Sequence, residues 1–233
     1  RRIKAECPGA RVSGGVSKFT KARPDVTFQP MVKEAFDYAL KDLDLPAGKA
    51  FELIDGSVAS YFSDHFQRQL MSGIMVQDYL GLCPKPSRRI EGGGATGGLC
   101  FQAAWEAIAS GRMEVCLAMG FETMSRVNTW KGNEFIAHAS DTNFDYPVGG
   151  FYTGYYAMMV QRHMHEFGTK REHLAAVAVK NHKNGALNPN AQFQKEITTD
   201  TVLHSPWVAE PLGLFDCAPL SDGAAALVLC ALD

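Results

Sequence analysis

The chain has 233 residues, 46% of them hydrophobic and 21% charged. These are the proportions of a folded globular protein, which excludes a disordered or fibrous chain. Lys and Arg number 23 against 25 Asp and Glu, a formal charge of −2, so the overall balance offers no reason to expect nucleic acid or an anionic membrane surface as a partner. No apolar run reaches the ~18 residues that a membrane-spanning helix needs. The length allows one large domain or two small ones.

Six cysteines stand at 7, 83, 100, 116, 217 and 230. None forms a C-x-x-C pair, so no zinc knuckle and no metal site is expected. Four of them (Cys100, Cys116, Cys217, Cys230) lie inside apolar runs, where a free Cys acts as a small hydrophobe. This usage points to a reducing, cytoplasmic compartment. The first residue is Arg1 with no signal-peptide pattern after it, consistent with an upstream segment having been trimmed.

In chain order, residues 12–19 read as a first strand and turn, weakened by Gly14-Gly15. Thr27 is placed to cap a helix with Phe28, Met31, Val32, Ala35, Phe36, Ala39 and Leu40 on one stripe, ended by Pro46 and Gly48. Residues 51–59 read as a strand and 66–80 as a helix stopped by Gly81 and Pro84. Residues 86–91 lead into Gly92-Gly93-Gly94-Ala95-Thr96-Gly97-Gly98. A helix follows, with Leu99, Cys100, Ala103, Ala104, Ala107 and Ile108 on its apolar face and Gly111 at its end. Residues 114–119 are a buried strand. Strand, glycine-rich turn, helix and strand make a βαβ unit and hence a parallel sheet.

Residues 120–155 are rich in Gly, Asn, Asp, Thr and aromatics and read as a long loop, the kind that usually carries function. Helices are expected at about 155–167 and 169–184, the second opened by a capping box at Thr169–Glu172. Residues 186–212 read as loop. Ser221-Asp222-Gly223 turns into a short apolar strand, 224–229, with Asp222 capping the turn.

The glycine-rich turn sets backbone N–H groups at a helix head, a place that binds anions and activates a nucleophile. It lacks the G-x-x-x-x-G-K-[ST] of a phosphate loop. Gly92, Gly94 and Gly97 keep the spacing of a dinucleotide fingerprint, but no acidic residue ends a second strand ~20 residues on. Tight packing of helix against sheet is the competing explanation for several of these glycines.

The run Arg89–Gly98 resembles the nucleophile turn of thiolases, especially the sterol-carrier-protein-type and archaeal ones. Ser17-Lys18-Phe19 with Arg23-Pro24, Glu114–Ser125 and Asp216–Ala226 resemble other stretches of that family in order and spacing. The resemblance spans nearly the whole chain. It implies a thiolase-like α/β fold with a mixed central sheet layered with helices, a substrate held as a coenzyme A thioester, no further cofactor, and a homodimer. Residues 1–120 and 213–233 would form the core and 121–212 a loop subdomain that covers the substrate.

Two departures stand out. In thiolases the turn carries a cysteine that attacks the acyl group, and the matching position here is Gly94, which cannot form an acyl-enzyme. Cys100 lies about two helical turns further on, on the apolar face. The family also places a catalytic His and a second Cys in a C-terminal half, and this chain ends before any such segment. Thiolase-like proteins that resemble it in having glycine at the turn act as aldolases on β-hydroxyacyl-CoA thioesters. They pair with a small zinc-ribbon and OB-fold partner. Aldol cleavage needs a base and an oxyanion site but no nucleophile.

Tyrosine can serve as base or oxyanion donor, and the 120–155 region supplies Tyr146, Tyr152, Tyr155 and Tyr156. Aromatic packing of a cover loop is the plainer alternative for each. The expected catalytic residues are Tyr155, Tyr146, His138 and Glu91. Gly94 marks the replaced nucleophile, and Gly93, Thr96, Gly97, Asn133 and Tyr152 are expected to bind substrate. Asp141 is a weaker candidate. His163 and His165 at i, i+2 point to different helix faces, and His182 sits favourably near a helix end. The expected function is carbon–carbon bond chemistry on an acyl-CoA. The family default is acyl transfer, Gly94 favours aldolase chemistry, and an inactive acyl-CoA-binding or scaffold half is the alternative. Strand 224–229 is too apolar to face water, which also predicts a dimer, or aggregation of the isolated chain.

Overall fold

The computed structural model describes residues 11–44 and 46–231; Cys7 lies outside them. Two compact units divide the chain: one runs to Arg126 and resumes at Ser221, the other is Val127–Leu220.

The first unit is built on a five-stranded sheet of β1 (Arg11–Val16), β2 (Gly56–Ser60), β3 (Ser87–Ile90), β4 (Val115–Thr123) and β7 (Asp222–Cys230), in the order β1-β7-β4-β2-β3. β3 and β4 both run parallel to β2 and flank it, while β7 runs antiparallel to β4 and to β1. The expected βαβ unit is therefore present, its crossover helix α5 (Thr96–Ala109) joining β3 to β4. One expectation is corrected: β7 is an interior strand between β1 and β4, so its apolar side chains are covered within the chain and supply no argument for association.

Helix α1 (Phe28–Asp42) buries Phe28, Met31, Val32, Ala35, Phe36, Ala39 and Leu40, the stripe that its spacing defines. These side chains join residues of β4 and β7 in one core, each fully buried large side chain contributing roughly 1.5–3 kcal/mol. Gly15 explains the glycine pair in β1. A Cβ there would sit 1.9 Å from the Ala35 carbonyl oxygen, so only glycine lets α1 lie this close to the strand. On the other sheet face, α5 buries Cys100, Ala103, Ala104 and Ile108 against Val58, Cys116, Ala118 and Leu229.

Other segments differ from the sequence reading. Residues 51–59 divide into a helical turn, α2 (Ala50–Leu53), and then β2, because Ala50 and Ile54 both bury on one side of a turn. Residues 66–80 are two helices, α3 (Asp64–Gln67) and α4 (Ser72–Tyr79), separated where Arg68 and Met71 take left-handed backbone angles. Asp222 does more than cap a turn. Its carboxylate is fully buried and accepts the Arg23 N–H (2.8 Å), the Ser125 N–H (2.9 Å) and the Ser125 hydroxyl (2.6 Å). It thereby ties three distant stretches of chain together, and the hydrogen bonds compensate its burial.

The second unit holds α6 (Thr129–Ala137), α7 (Tyr152–Phe167), α8 (Arg171–Ala186), α9 (Thr199–Leu203) and a small hairpin of β5 (Trp207–Ala209) and β6 (Leu212–Gly213). Both regions read as loop, 120–155 and 186–212, thus contain a helix. α6 starts at Asn128, whose side chain accepts the Lys131 N–H, and α9 at Thr198, which accepts from Thr201. Asn and Thr were read as loop composition, and here they are caps. The box expected at Thr169 is shifted by one. Lys170 is the N-cap, its N–H donated to His173 Nδ1, and the Thr169 hydroxyl meets His163 instead. A small core of Ala175, Ala178 and Val202 is braced by Arg171, which pairs with Asp216 at 2.5 Å with both side chains largely buried. Among the described residues no helix is long and apolar enough to cross a membrane.

Candidate active site

β3 delivers the chain into the turn at Glu91–Gly98, where each glycine has a separate reason. Gly93 has φ +58°, the left-handed region. A Cβ on Gly92 would sit 2.2 Å from the Leu99 side chain. At Gly94, Gly97 and Gly98 a Cβ meets nothing within 4 Å, so the position where thiolases carry their nucleophile is open space at the head of α5. Glu91 folds back to accept the Gly93 N–H (2.5 Å). The Thr96 hydroxyl donates to the Gly93 carbonyl (2.6 Å) and accepts the Gly92 N–H (3.0 Å). Both side chains are thus engaged in holding the turn. No side-chain cap closes the head of α5, although the Ala95 and Thr96 N–H groups are already donated to the Gly92 and Gly93 carbonyls; a helix head of this kind can bind an oxyanion.

Neither Cys100 nor Cys116 is poised to replace the missing thiol. Cys100 is 3% exposed, its Sγ 3.4 Å from the Val58 carbonyl, and burial pushes the thiol up. Cys116 is pushed up to about 12 by the same cause. A thiol held protonated is a poor nucleophile.

Glu122, near the end of β4, was not among the expected site residues. Burial raises its carboxyl to about 7, against the opposing pull of the Phe62 amide, Gln67 and Arg89. Oε1 accepts the Phe62 N–H at 2.5 Å. Arg89 on β3 donates to the Tyr61 and Phe62 carbonyls, pairs with Asp64 (2.8 Å) and lies 3.9 Å from the centre of the Tyr61 ring. The carboxyl ends of the three parallel strands are therefore cross-linked around one buried acid. This is the end of a parallel sheet where ligands bind, and the turn leaves β3 at the same end. The available signal was an acidic residue in the otherwise apolar run VCLAMGFET.

The remaining candidates belong to the second unit. His138 is the C-cap of α6 rather than a loop residue, its ring edge-on to Tyr146 at 5.3 Å. Asn133 is exposed on α6. Tyr152 opens α7 and packs 6.3 Å from Tyr155 and 6.1 Å from Tyr156. The Tyr155 hydroxyl is buried without a hydrogen-bond partner, and a Cβ on Gly150 would fall 1.8 Å from it. The structure thus groups Glu91, Gly93, Gly94, Thr96 and Gly97 in one unit, and His138 with Tyr146 and Tyr152 with Tyr155 in the other. His182 stacks on Phe193 and contacts Phe215. Among the described residues no group of three or more His, Cys, Asp or Glu is placed to hold a metal.

The family model for the thiolase N-terminal domain matches residues 10–233, and the chain belongs to the thiolase family. It is 39% identical over 209 residues to an acetyl-CoA acetyltransferase of Methanothermobacter thermautotrophicus, covering 90% of this chain and 53% of that one. It is 32% identical to human sterol carrier protein 2, covering 94% and 40%. A solved structure of an Ltp2–ChsH2(DUF35) aldolase superposes with a TM-score of 0.75 at 30% identity, over 97% of this chain and 56% of that one. The chain spans about half the length of the curated relatives it matches.

Proposed function

We propose that the protein makes or breaks carbon–carbon bonds on an acyl-CoA thioester by aldol chemistry, without an acyl-enzyme. The observation that carries this reading is Gly94: the space at the head of α5 is open, and no side chain there can attack a thioester. The likeness to a solved aldolase of the same fold supports it. In the cleavage direction a base takes the β-hydroxyl proton and the Cα–Cβ bond breaks. Its electron pair moves onto the thioester carbonyl as an enolate, and protonation at Cα gives the shortened acyl-CoA beside an aldehyde or ketone. The N–H groups at the head of α5 suit the enolate oxygen. Tyr155 is the first choice for the proton-transferring group and Tyr146, edge-on to His138, the second. Glu91 shapes the turn through Gly93, and Gly93, Thr96, Gly97, Asn133 and Tyr152 form the substrate-binding set.

The assembly that goes with this reading is a homodimer. β3 is an edge strand, and the helices on its two faces expose Ile74 on α4 and Phe101 and Trp105 on α5. A DUF35-type zinc-ribbon and OB-fold partner is proposed from the solved aldolase complex. A second reading, acyl transfer, is favoured by the acetyltransferase relatives; a third is an inactive acyl-CoA-binding or scaffold half. Intact-mass measurement after incubation with acetyl-CoA or acetoacetyl-CoA separates them. No acyl adduct is expected on the native protein, together with turnover of a β-hydroxyacyl-CoA in the complete assembly. A stable adduct on any cysteine supports acyl transfer instead, and absence of both supports the scaffold. Gly94→Cys should fold normally, since its Cβ meets nothing, and should be alkylated faster than buried Cys100.

A further inference from the structure

A cavity of about 460 Å³ opens in the first unit. It lies among the head of α1, the exit of α3 and the end of β4, and is lined by Thr27, Gln29, Gln67, Arg68, Thr123 and Arg126, with Phe28 and Gln69. Four features give it a chemical character. Two guanidinium groups line it and no Asp or Glu does. Neither arginine has an ion-pair partner among the described residues; Arg126 donates one N–H to the Val26 carbonyl (2.6 Å). The head of the 15-residue helix α1 carries no side-chain cap, since Thr27 makes no capping bond, so the positive end of its dipole is unopposed. The hydroxyl of Thr123, which is only 3% exposed, has no hydrogen-bond partner and can donate to an anion. Unpaired buried polar groups of this kind are costly unless something satisfies them.

Arg68 has φ +53°. The left-handed angle stops α3 at that residue.

We propose that this cavity binds a small oxyanion, a carboxylate or phosphate group, between Arg68, Arg126 and the N–H groups of Phe28 and Gln29 at the head of α1. Guanidinium forks match both anions in geometry, and an uncapped helix head favours either. The cavity is lined by none of the residues of the glycine-rich turn.

The test is thermal unfolding of the purified protein titrated separately with inorganic phosphate and with succinate, against sodium chloride at equal ionic strength. A saturable rise in Tm above the chloride control is expected, about 3–6 °C at tenfold excess over Kd. The anion with the lower midpoint identifies the preferred chemistry. Arg68→Gln, which breaks none of the hydrogen bonds described, should abolish the shift without lowering the Tm of the anion-free protein. Arg68→Lys, which keeps the charge but loses the planar fork, should retain part of it. Lys180→Gln, an exposed cation of α8, should leave it intact. A shift no larger than that of chloride, or one that survives Arg68→Gln, overturns the proposal. If Arg68→Gln does not fold, an undiminished shift in Arg68→Lys overturns the fork-based recognition.

Discussion

Glu122 keeps its proton to about pH 7 because burial disfavours the charged form more than Phe62, Gln67 and Arg89 favour it. An acid whose folded-state value is raised above the ordinary carboxyl range makes the fold less stable as pH rises between the two values, roughly 4.5 and 7. Glu122→Gln keeps an acceptor for the Phe62 N–H and removes the ionisation. Its Tm should match the native protein near pH 4 and exceed it at pH 8, by a stabilisation of about 3 kcal/mol. Thermal scans at the two pH values check this, and an equal gap at both would show that charge is not the cause. Tyr155 poses a different question at the same scale. Its hydroxyl is buried without a partner in the free protein, so Tyr155→Phe should leave Tm unchanged or slightly raised. If that hydroxyl transfers the proton, turnover in the complete assembly should fall ~10²-fold or more. Unchanged turnover would shift attention to Tyr146 and Glu122.

At the scale of elements, the contact of α1 with β1 illustrates how a residue that weakens a strand in isolation can be required by its neighbour. Gly14-Gly15 lowers strand propensity, yet the missing side chain at Gly15 is what lets the helix backbone approach. Gly15→Ala would place a methyl group 1.9 Å from the Ala35 oxygen and 2.5 Å from the Ala39 nitrogen. Backbone cannot yield as a flexible side chain does. The variant should lose about 2 kcal/mol or more, read as a lower denaturation midpoint. Gly94→Ala, where a Cβ meets nothing, is the matched control and should lose little. The helices α6 and α9 mark the opposite case. At nine and five residues they are too short to show a sustained 3.6-residue period. Each is set by one capping side chain and by a few buried contacts, such as Ala137 and Val202.

For the whole molecule, the sequence by itself determined the α/β class, the α1 stripe, the βαβ unit around the glycine-rich turn and the absence of a side chain at Gly94. All of these depend on short-range periodicity, turn chemistry or residue identity, which a linear string records. Tertiary structure alone decided three further matters. It made β7 an interior strand, because an antiparallel partner on each side comes from residues about 100 positions away in β4 and more than 200 away in β1. It turned Asp222 from a turn residue into a buried acceptor joining Arg23 and Ser125. It also brought Glu122, Phe62 and Arg89 together at the strand ends, and Arg68, Arg126 and Thr123 around one cavity. Burial and hydrogen-bond partnership depend on which distant segments meet, and no local pattern in the sequence encodes a meeting between residues tens of positions apart.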